Sequence, residues 1–513
     1  MRITNKISAC IFIAVLSISN VKAEDSNELK LKLLNRVGYA PTESSLTILL
    51  KKNMKDWINE QLENPNKYSD KIVEEKIKNL SIQNLDNFQL YKQYDGYLNA
   101  NNTPDFAAPT GILYENLKKR VIYAIYSENR IREMMVWFWF NHFSVDAKSN
   151  QGTLSLLNDY ENQIREKSLG NFRDLLKMTI KHPAMLRYLN NTENRSPSTK
   201  VDPNHLILLR DEQDGEFFER EEVYSYNENY ARELLELHTL GVDSGYTQKD
   251  IEELSRILTG FGMYSFYKAN YFHYLKDIKR INNINEFKIK TNSNVKDNLY
   301  YFDPLEHDYG DKFFLGQKIK GEGEEEIEKV LDLIVLNKNT ARFISTKLAT
   351  YFLGEEFDNT IIKKLENEFL KSRGDISKVL KVLLNSEEFW KSVERQDKYK
   401  DLYSNYVSLY KLISNDNNLT DFNNFYRKLN EIDYLPYAKV TPEGYSLHGK
   451  DYISSQIMNK NINFYSSVIF FTKEHFKEDN IKFNYDFLSK IDNSIKDQKS
   501  FFIYLTSSKW LLH

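Results

Sequence analysis

The densest chemistry in the chain lies in Ser225-Tyr226-Asn227-Glu228-Asn229-Tyr230-Ala231-Arg232-Glu233-Leu234-Leu235-Glu236-Leu237-His238-Thr239-Leu240-Gly241. The Ser225-x-x-Glu228 spacing predicts a capping box that starts a helix, and Gly241 predicts its end. At about 100° per residue, Asn229, Arg232, Glu233 and Glu236 share one stripe roughly 100° wide. Two carboxylates on such a face can serve as acid and base groups or hold a hard metal ion, and the guanidinium can clamp an anion. The same residues can instead form a structural network, with Arg232 and Glu236 paired at i, i+4, and Leu240 inside the stripe indicates that it faces protein. His238 projects to the opposite side, among Tyr230, Ala231, Leu234, Leu235 and Leu237. It reads as a hydrogen-bonded core histidine, poorly placed to share a metal with Glu233 or Glu236.

Two further polar clusters carry an imidazole. Met134-Met135-Val136-Trp137-Phe138-Trp139-Phe140 is apolar on all sides, which predicts a helix buried all round. Asn141 and His142 follow it, so His142 is either tied to backbone or held at the floor of a cleft. Glu306-His307-Asp308-Tyr309-Gly310-Asp311-Lys312 places an imidazole, three carboxylates and an amine in a turn-prone stretch, which taken alone is a solvated turn. A reactive centre requires all three clusters to converge. In that arrangement Glu233 or Glu236 is the general base or metal-binding carboxylate, and His142 or His307 the proton-transfer group or ligand. Asn229, Asn141 and Arg232 bind substrate, Asp308 is the candidate metal ligand, and a divalent ion is the candidate cofactor.

No G-x-S-x-G elbow, H-E-x-x-H, phosphate-binding Gly-rich loop or EF-hand loop occurs. Lys and Arg number 70 against 73 Asp and Glu, without a polybasic tract, which argues against a nucleic-acid partner. The composition, 41% hydrophobic and 28% charged over 513 residues, is that of a chain able to bury a large core. With only 18 Gly and 10 Pro, turn-rich sandwiches are disfavoured and long helices favoured.

Residues 1–23 read as a secretory signal peptide: Arg2 and Lys6, an apolar run from Ile7 to Ile18, then Val21-Lys22-Ala23 as a cleavage site. The run is too short to span a membrane, and no later stretch approaches the length needed. Cys10, the only cysteine, precedes most of the apolar region, which disfavours a lipoprotein box, and a processed chain would have neither disulfide nor thiolate. A periplasmic or secreted location follows.

The elements that must position these groups are mainly helical. The fold expected is a multi-helix, bundle-like body with a small β-hairpin element around 265–320. Helical spacing covers 111–127, 130–143, 154–168, 171–189, 324–336, 339–353, 358–372 and 376–390. Residues 191–224 look like a long polar surface insertion, and Phe287-Lys288-Ile289-Lys290 and Lys312-Phe313-Phe314-Leu315-Gly316 look like short strands. A helical domain over 24–400, with a C-terminal helical part over 401–513 packed on the same body, completes the organisation.

Several segments together resemble the bacterial family called domain of unknown function 1800. They are Leu33-Leu34-Asn35-Arg36-Val37-Gly38-Tyr39-Ala40-Pro41-Thr42, Phe138-Trp139-Phe140-Asn141-His142-Phe143, His182 to Leu189, Asn227 to Gly260, His307-Asp308 with Lys312, Ala341-Arg342-Phe343 with Lys347, and Ser386-Glu387-Glu388-Phe389. The likeness is good over about 31–390 and thins beyond 400, where Gly444-Tyr445 and Tyr452-Ile453 stand in place of Trp-containing segments. What the resemblance implies is an exported, mainly helical protein, often encoded beside sulfatase-like proteins of domain of unknown function 1501. Two functions stay open. One is a hydrolase or transferase acting on an envelope glycan or another polymer. The other is a non-catalytic envelope scaffold or binding partner of a sulfatase-like protein.

Overall fold

The computed structural model describes residues 26–68, 70–94, 107–148, 151–198, 207–210, 217–220, 224–263, 295–414, 422–470 and 483–513, together with 283, 285, 286 and 288. Residues 1–23, expected to form a signal peptide, lie outside the described residues. Within them the protein is mainly α, with three two-stranded antiparallel pairs.

The elements that carry the candidate groups are helices α1 (Asn27–Gly38), α2 (Ala107–Tyr126), α3 (Arg130–His142), α4 (Leu157–Lys167), α5 (Phe172–Lys181), α6 (Pro183–Tyr188), α7 (Asn229–Glu236), α8 (Gln248–Ile257), α9 (Glu326–Val335), α10 (Lys338–Leu353) and α11 (Leu402–Ile413). Helix α3 is the centre of the body. Every one of its residues except Arg132 is buried, as its all-round apolar sequence requires. The expected single helix over 171–189 is two. Pro183 cannot continue the helix before it, so His182 turns extended, and its ring nitrogen accepts the Ala184 N–H as the cap of α6.

Around Glu161 the charge inside this core is neutralised in place. Arg120 and Arg165 bracket Glu161, at 2.7 and 2.8 Å, and Arg165 also meets Glu133 at 3.1 Å. Burial opposes ionisation of Glu161, but the two guanidiniums outweigh it and hold its carboxyl down at about 2.

The strands are β1 (Ile207–Arg210) with β2 (Phe217–Arg220), β3 (Phe261–Met263) with β4 (Tyr300–Phe302), and β5 (Lys312–Phe314) with β6 (Gln317–Ile319). The β5–β6 hairpin turns through Leu315 and Gly316, both at positive φ, which matches the twist of a tight antiparallel pair. The expected strand at Phe287–Lys290 falls almost wholly outside the described residues. The polar stretch 191–224 starts inside the body. Asn191 and Asn194 are buried and donate to the carbonyls of Leu258, Phe261 and Ser255.

Residues beyond 401 share the core that begins at Leu29 and ends at Trp510. On α11, Ser408 donates to the Tyr39 carbonyl, and the Lys411 ammonium reaches the Gly38 and Ala124 carbonyls, both at 2.8 Å. Among the described residues no helix is long and apolar enough to cross a membrane.

Candidate functional site

The 306–312 cluster is no solvated turn. His307, Asp308 and Lys312 are buried. The His307 Nδ1 faces the Thr259 carbonyl at 2.8 Å and its Nε2 faces Glu326 at 2.9 Å. Lys312 pairs with the other Glu326 oxygen at 2.8 Å and donates to the Asp308 carbonyl. Asp308 takes Arg256 on both oxygens, at 2.9 and 3.2 Å, with the Tyr226 hydroxyl at 2.5 Å and the Gly310 N–H at 2.7 Å. Burial works against its charge, but Arg256, Tyr226 and Gly310 hold its carboxyl well below the usual range. These contacts pin the β5–β6 hairpin to α8 and α9. They leave the Asp308 carboxylate with no oxygen free of a donor, and among the described residues no three His, Cys, Asp or Glu side chains gather to hold a metal ion.

Helix α7 starts differently from its capping-box pattern. Glu228 is its N-cap without a side-chain cap, and the Asn227 side chain accepts the Asn229 N–H at 3.0 Å instead. Asn229 donates to the Leu189 carbonyl at 3.1 Å, tying α7 to the end of α6. Arg232 lies between Glu228 at 3.3 Å and Glu236 at 3.4 Å, and donates to Gln248 at 2.9 Å. This is the i, i+4 network anticipated from the stripe, at a half-exposed site where such pairs contribute little stability. Glu233 stands apart. Burial, then the neighbouring charges of Glu236 and Glu443, push its carboxyl up, with only Arg232 pulling the other way.

Glu443 comes from the segment 438–446, which Asn141 holds. The Asn141 side chain donates to the Tyr445 carbonyl at 2.8 Å and accepts the Tyr445 N–H at 2.7 Å. Gly444 sits at φ +74°, and a Cβ there would lie 2.1 Å from the Asn141 carbonyl oxygen, so no larger residue fits this approach. The Glu443 carboxyl is partly buried, which opposes its charge, but the Thr441 hydroxyl at 2.5 Å and Lys439 at 3.7 Å bring it below the usual range. Tyr188 closes the wall by donating to the Val440 carbonyl at 2.7 Å. Besides burial, the charges of Asp146, Glu443 and Glu233 raise its hydroxyl pKa. An acidic wall thus forms from α7, the end of α6 and the 438–446 segment, around a tyrosine ring.

His142 faces another way. Its Nε2 donates to the His238 carbonyl at 3.0 Å, and its Nδ1 is buried without a partner. His238 lies beside it, with ring centres 5.8 Å apart, and neither of its nitrogens has a partner. Phe138, Trp139, Phe143 and Phe343 surround the pair. The α7 end lets Phe343 in. Gly241 has φ +93°, and a Cβ there would meet the Phe343 ring at 3.0 Å. Lys347, one turn along α10, lies over Phe343 at 5.4 Å. Burial, with Lys347 and His238 adding charge, keeps His142 far below its ordinary pKa; burial and Lys347 take His238 down to about 3.

The structure therefore brings Arg232 and Glu236 together, and His307 beside Asp308, but it gives His142, His307 and Glu233 separate sets of partners. His238 is a core histidine, as expected, though it lacks the expected hydrogen bonds. Glu443 and Lys347 were not singled out for chemistry. Lys347 stands four residues after Phe343 on one helix face. Glu443 carries only the weak signal of Thr-x-Glu-Gly, a turn with a side-chain bond across it.

The family described as Protein of unknown function (DUF1800) matches residues 32–506. No curated protein matches the chain. No solved structure matches it either.

Proposed function

The chain belongs to the family Protein of unknown function (DUF1800), and from that premise we propose that it is an exported hydrolase or transferase acting on an envelope glycan or another polymer through Glu233 and Glu443. The observation that carries the reading is the 438–446 segment, which Asn141 and Tyr188 hold in place so that Glu443 acts on Glu233, the one carboxyl brought down and the other pushed up. Such a pair supplies a proton donor and an ionised base or nucleophile at the same pH, which is what cleavage of a glycosidic bond needs. Glu233 is the acid and Glu443 the base or nucleophile. Tyr188 offers a ring on which a sugar face can rest. Arg232 is occupied by Glu228, Glu236 and Gln248 and acts here by shaping the wall. His307 is fully bound elsewhere and takes no part in proton transfer at this wall.

The test is turnover of a panel of envelope polysaccharides by the purified protein and by Glu233→Gln and Glu443→Gln. Each variant is expected to lose about 100-fold or more in rate while melting like the parent. Turnover that both variants retain overturns the reading.

A second reading has its own support. Asn141, His307, Asp308 and Lys312 all serve packing, which suits a non-catalytic scaffold or a binding partner of a sulfatase-like protein. Direct titration with such a partner, in the absence of any turnover, would favour it.

A further inference from the structure

The stretch Tyr39-Ala40-Pro41-Thr42 leads from α1 into an eight-residue helix, Glu43–Leu50. A helix leaves its first amides without intrahelical acceptors, and here each can be followed. The Thr42 N–H donates to Ser45 Oγ at 2.8 Å, and the Ser45 N–H donates to Thr42 Oγ1 at 3.2 Å. The Glu43 and Ser44 N–H groups have no acceptor among the described residues. Both residues are exposed, and the Ser44 hydroxyl lies 3.1 Å from Thr42 Oγ1. Water suffices for two such amides.

Water does not account for Arg130. Its side chain comes from the first turn of α3 and is 7% exposed. Nη2 donates to Thr42 Oγ1 at 3.0 Å, at the cap itself, and Nη1 is buried without a partner. Gly38 leaves the room for this approach, since a Cβ there would meet Arg130 Cδ at 3.0 Å. Burial pushes the guanidinium pKa down to about 10, with only the charge of Glu128 working the other way. The Lys411 amine, which holds the Gly38 carbonyl, adds a second basic group close enough to feel the Arg130 charge. The start of a helix carries about half a positive charge of its own, which favours anions there and disfavours cations. A buried guanidinium with no paired carboxylate is therefore at the wrong pole, unless an anion rests on the two free amides.

The donor set narrows that anion. Two successive backbone N–H groups, a serine hydroxyl and a guanidinium offer four donors around one helix start, which suits a group with several equivalent oxygens. The one acid of the first turn, Glu43, is exposed, and its carboxylate accepts the Asn484 side-chain amide at 3.3 Å. Its charge opposes an incoming anion, weakly because solvent screens it.

We propose that the Glu43 and Ser44 amides, with Arg130, form a binding site for a tetrahedral oxyanion, a sulfate or phosphate group. The site shares no residue with the acidic wall and its test reads binding alone, so its outcome is independent of the glycan reading. The purified protein is titrated by calorimetry with sulfate, phosphate, glucose 6-sulfate and glucose 6-phosphate, with acetate as control, in chloride at constant ionic strength. One oxyanion per chain is expected, and no binding of acetate. Sugar esters that bind at least as tightly as the free ions assign the group to a carbohydrate, whereas binding of the free ions alone assigns it to the inorganic anion. Arg130→Met, checked by thermal melting, is expected to weaken binding by more than about 10-fold. Glu43→Pro deletes one amide and keeps the helix, because Thr42 is already extended, as a residue before proline must be, and proline suits the first helical position. Glu43→Gln loses the same charge but keeps the amide, and is expected to bind at least as tightly as the parent. The proline variant is expected to bind about 10-fold more weakly than the glutamine variant. No saturable binding of sulfate or phosphate, acetate bound as tightly, or equal affinity in the proline and glutamine variants overturns the proposal. That last comparison decides even if Arg130→Met fails to fold.

Discussion

Two histidines, His307 and His142, are equally buried among aromatic rings, yet their surroundings are opposite. His307 has an acceptor oxygen against each nitrogen, and the carboxylate it meets is shared with Lys312. His142 has one carbonyl, one bare nitrogen and a second unpartnered imidazole for a neighbour. Burial alone therefore does not separate a histidine whose nitrogens are both matched from one that keeps a bare nitrogen. What separates them is whether every donor and acceptor is matched, because an unmatched buried group costs about 1–3 kcal/mol that a packing role would not retain.

The contrast can be broken most severely on the matched side. Lys312→Met leaves the Glu326 charge buried with its cationic partner gone, and is expected to destabilise the fold by about 3–5 kcal/mol in chemical denaturation. A loss under about 1 kcal/mol would mean that the network is not what holds the hairpin. His307→Phe removes the contacts to the Thr259 carbonyl and to Glu326 Oε1, the latter still held by Lys312 and the Gly323 N–H, with an expected loss of about 2 kcal/mol by the same measurement. His238→Phe removes two unmatched nitrogens and adds apolar contact, so its stability should stay within about 1 kcal/mol of the parent. Equal losses at 238 and 307 would erase the distinction.

A similar opposition sets Asp308 against Glu233 in their response to pH. Asp308 is held below its unfolded value, so its stabilisation is present above the ordinary Asp range and is lost as pH falls through its folded value. Glu233 is held above its unfolded value, so its contribution is present below the ordinary Glu range and is lost as pH rises through its folded value. Glu233→Gln should therefore gain slightly on the parent between weakly acid and neutral pH, by under about 1 kcal/mol because solvent screens the site. Denaturation midpoints measured across that range check the sign. A parent that grows relatively more stable as pH rises would place Glu233 among ordinary ion-paired carboxylates.

How much of this was legible follows the range of the interactions. The all-round apolar face of α3 is local and showed as such, and so did the i, i+4 pairing of Arg232 with Glu236. The break at His182-Pro183 was also present in the residues, since proline forbids the continuation that helical spacing alone suggested. The capping pattern at Ser225 misled because Asn227, two residues nearer the helix, offered a competing acceptor. The burial of Glu306, His307, Asp308 and Lys312 had no local sign. A polar turn and a buried ion network share one composition, and only Glu326, from a different helix, tells them apart.

Residue order by itself determined the helical class, the positions of most breaks and the opposite facing of Glu233 and the buried Leu234 and Leu235 on one short helix, because these depend on periodicity and on the conformations of proline and glycine. Only the tertiary structure decided that His238 meets His142, 96 residues earlier in the chain, and that Glu443 rather than a histidine comes to Glu233. Such meetings are set by how whole helices pack, and the free energy of packing is spread over the core rather than written at the residues that meet.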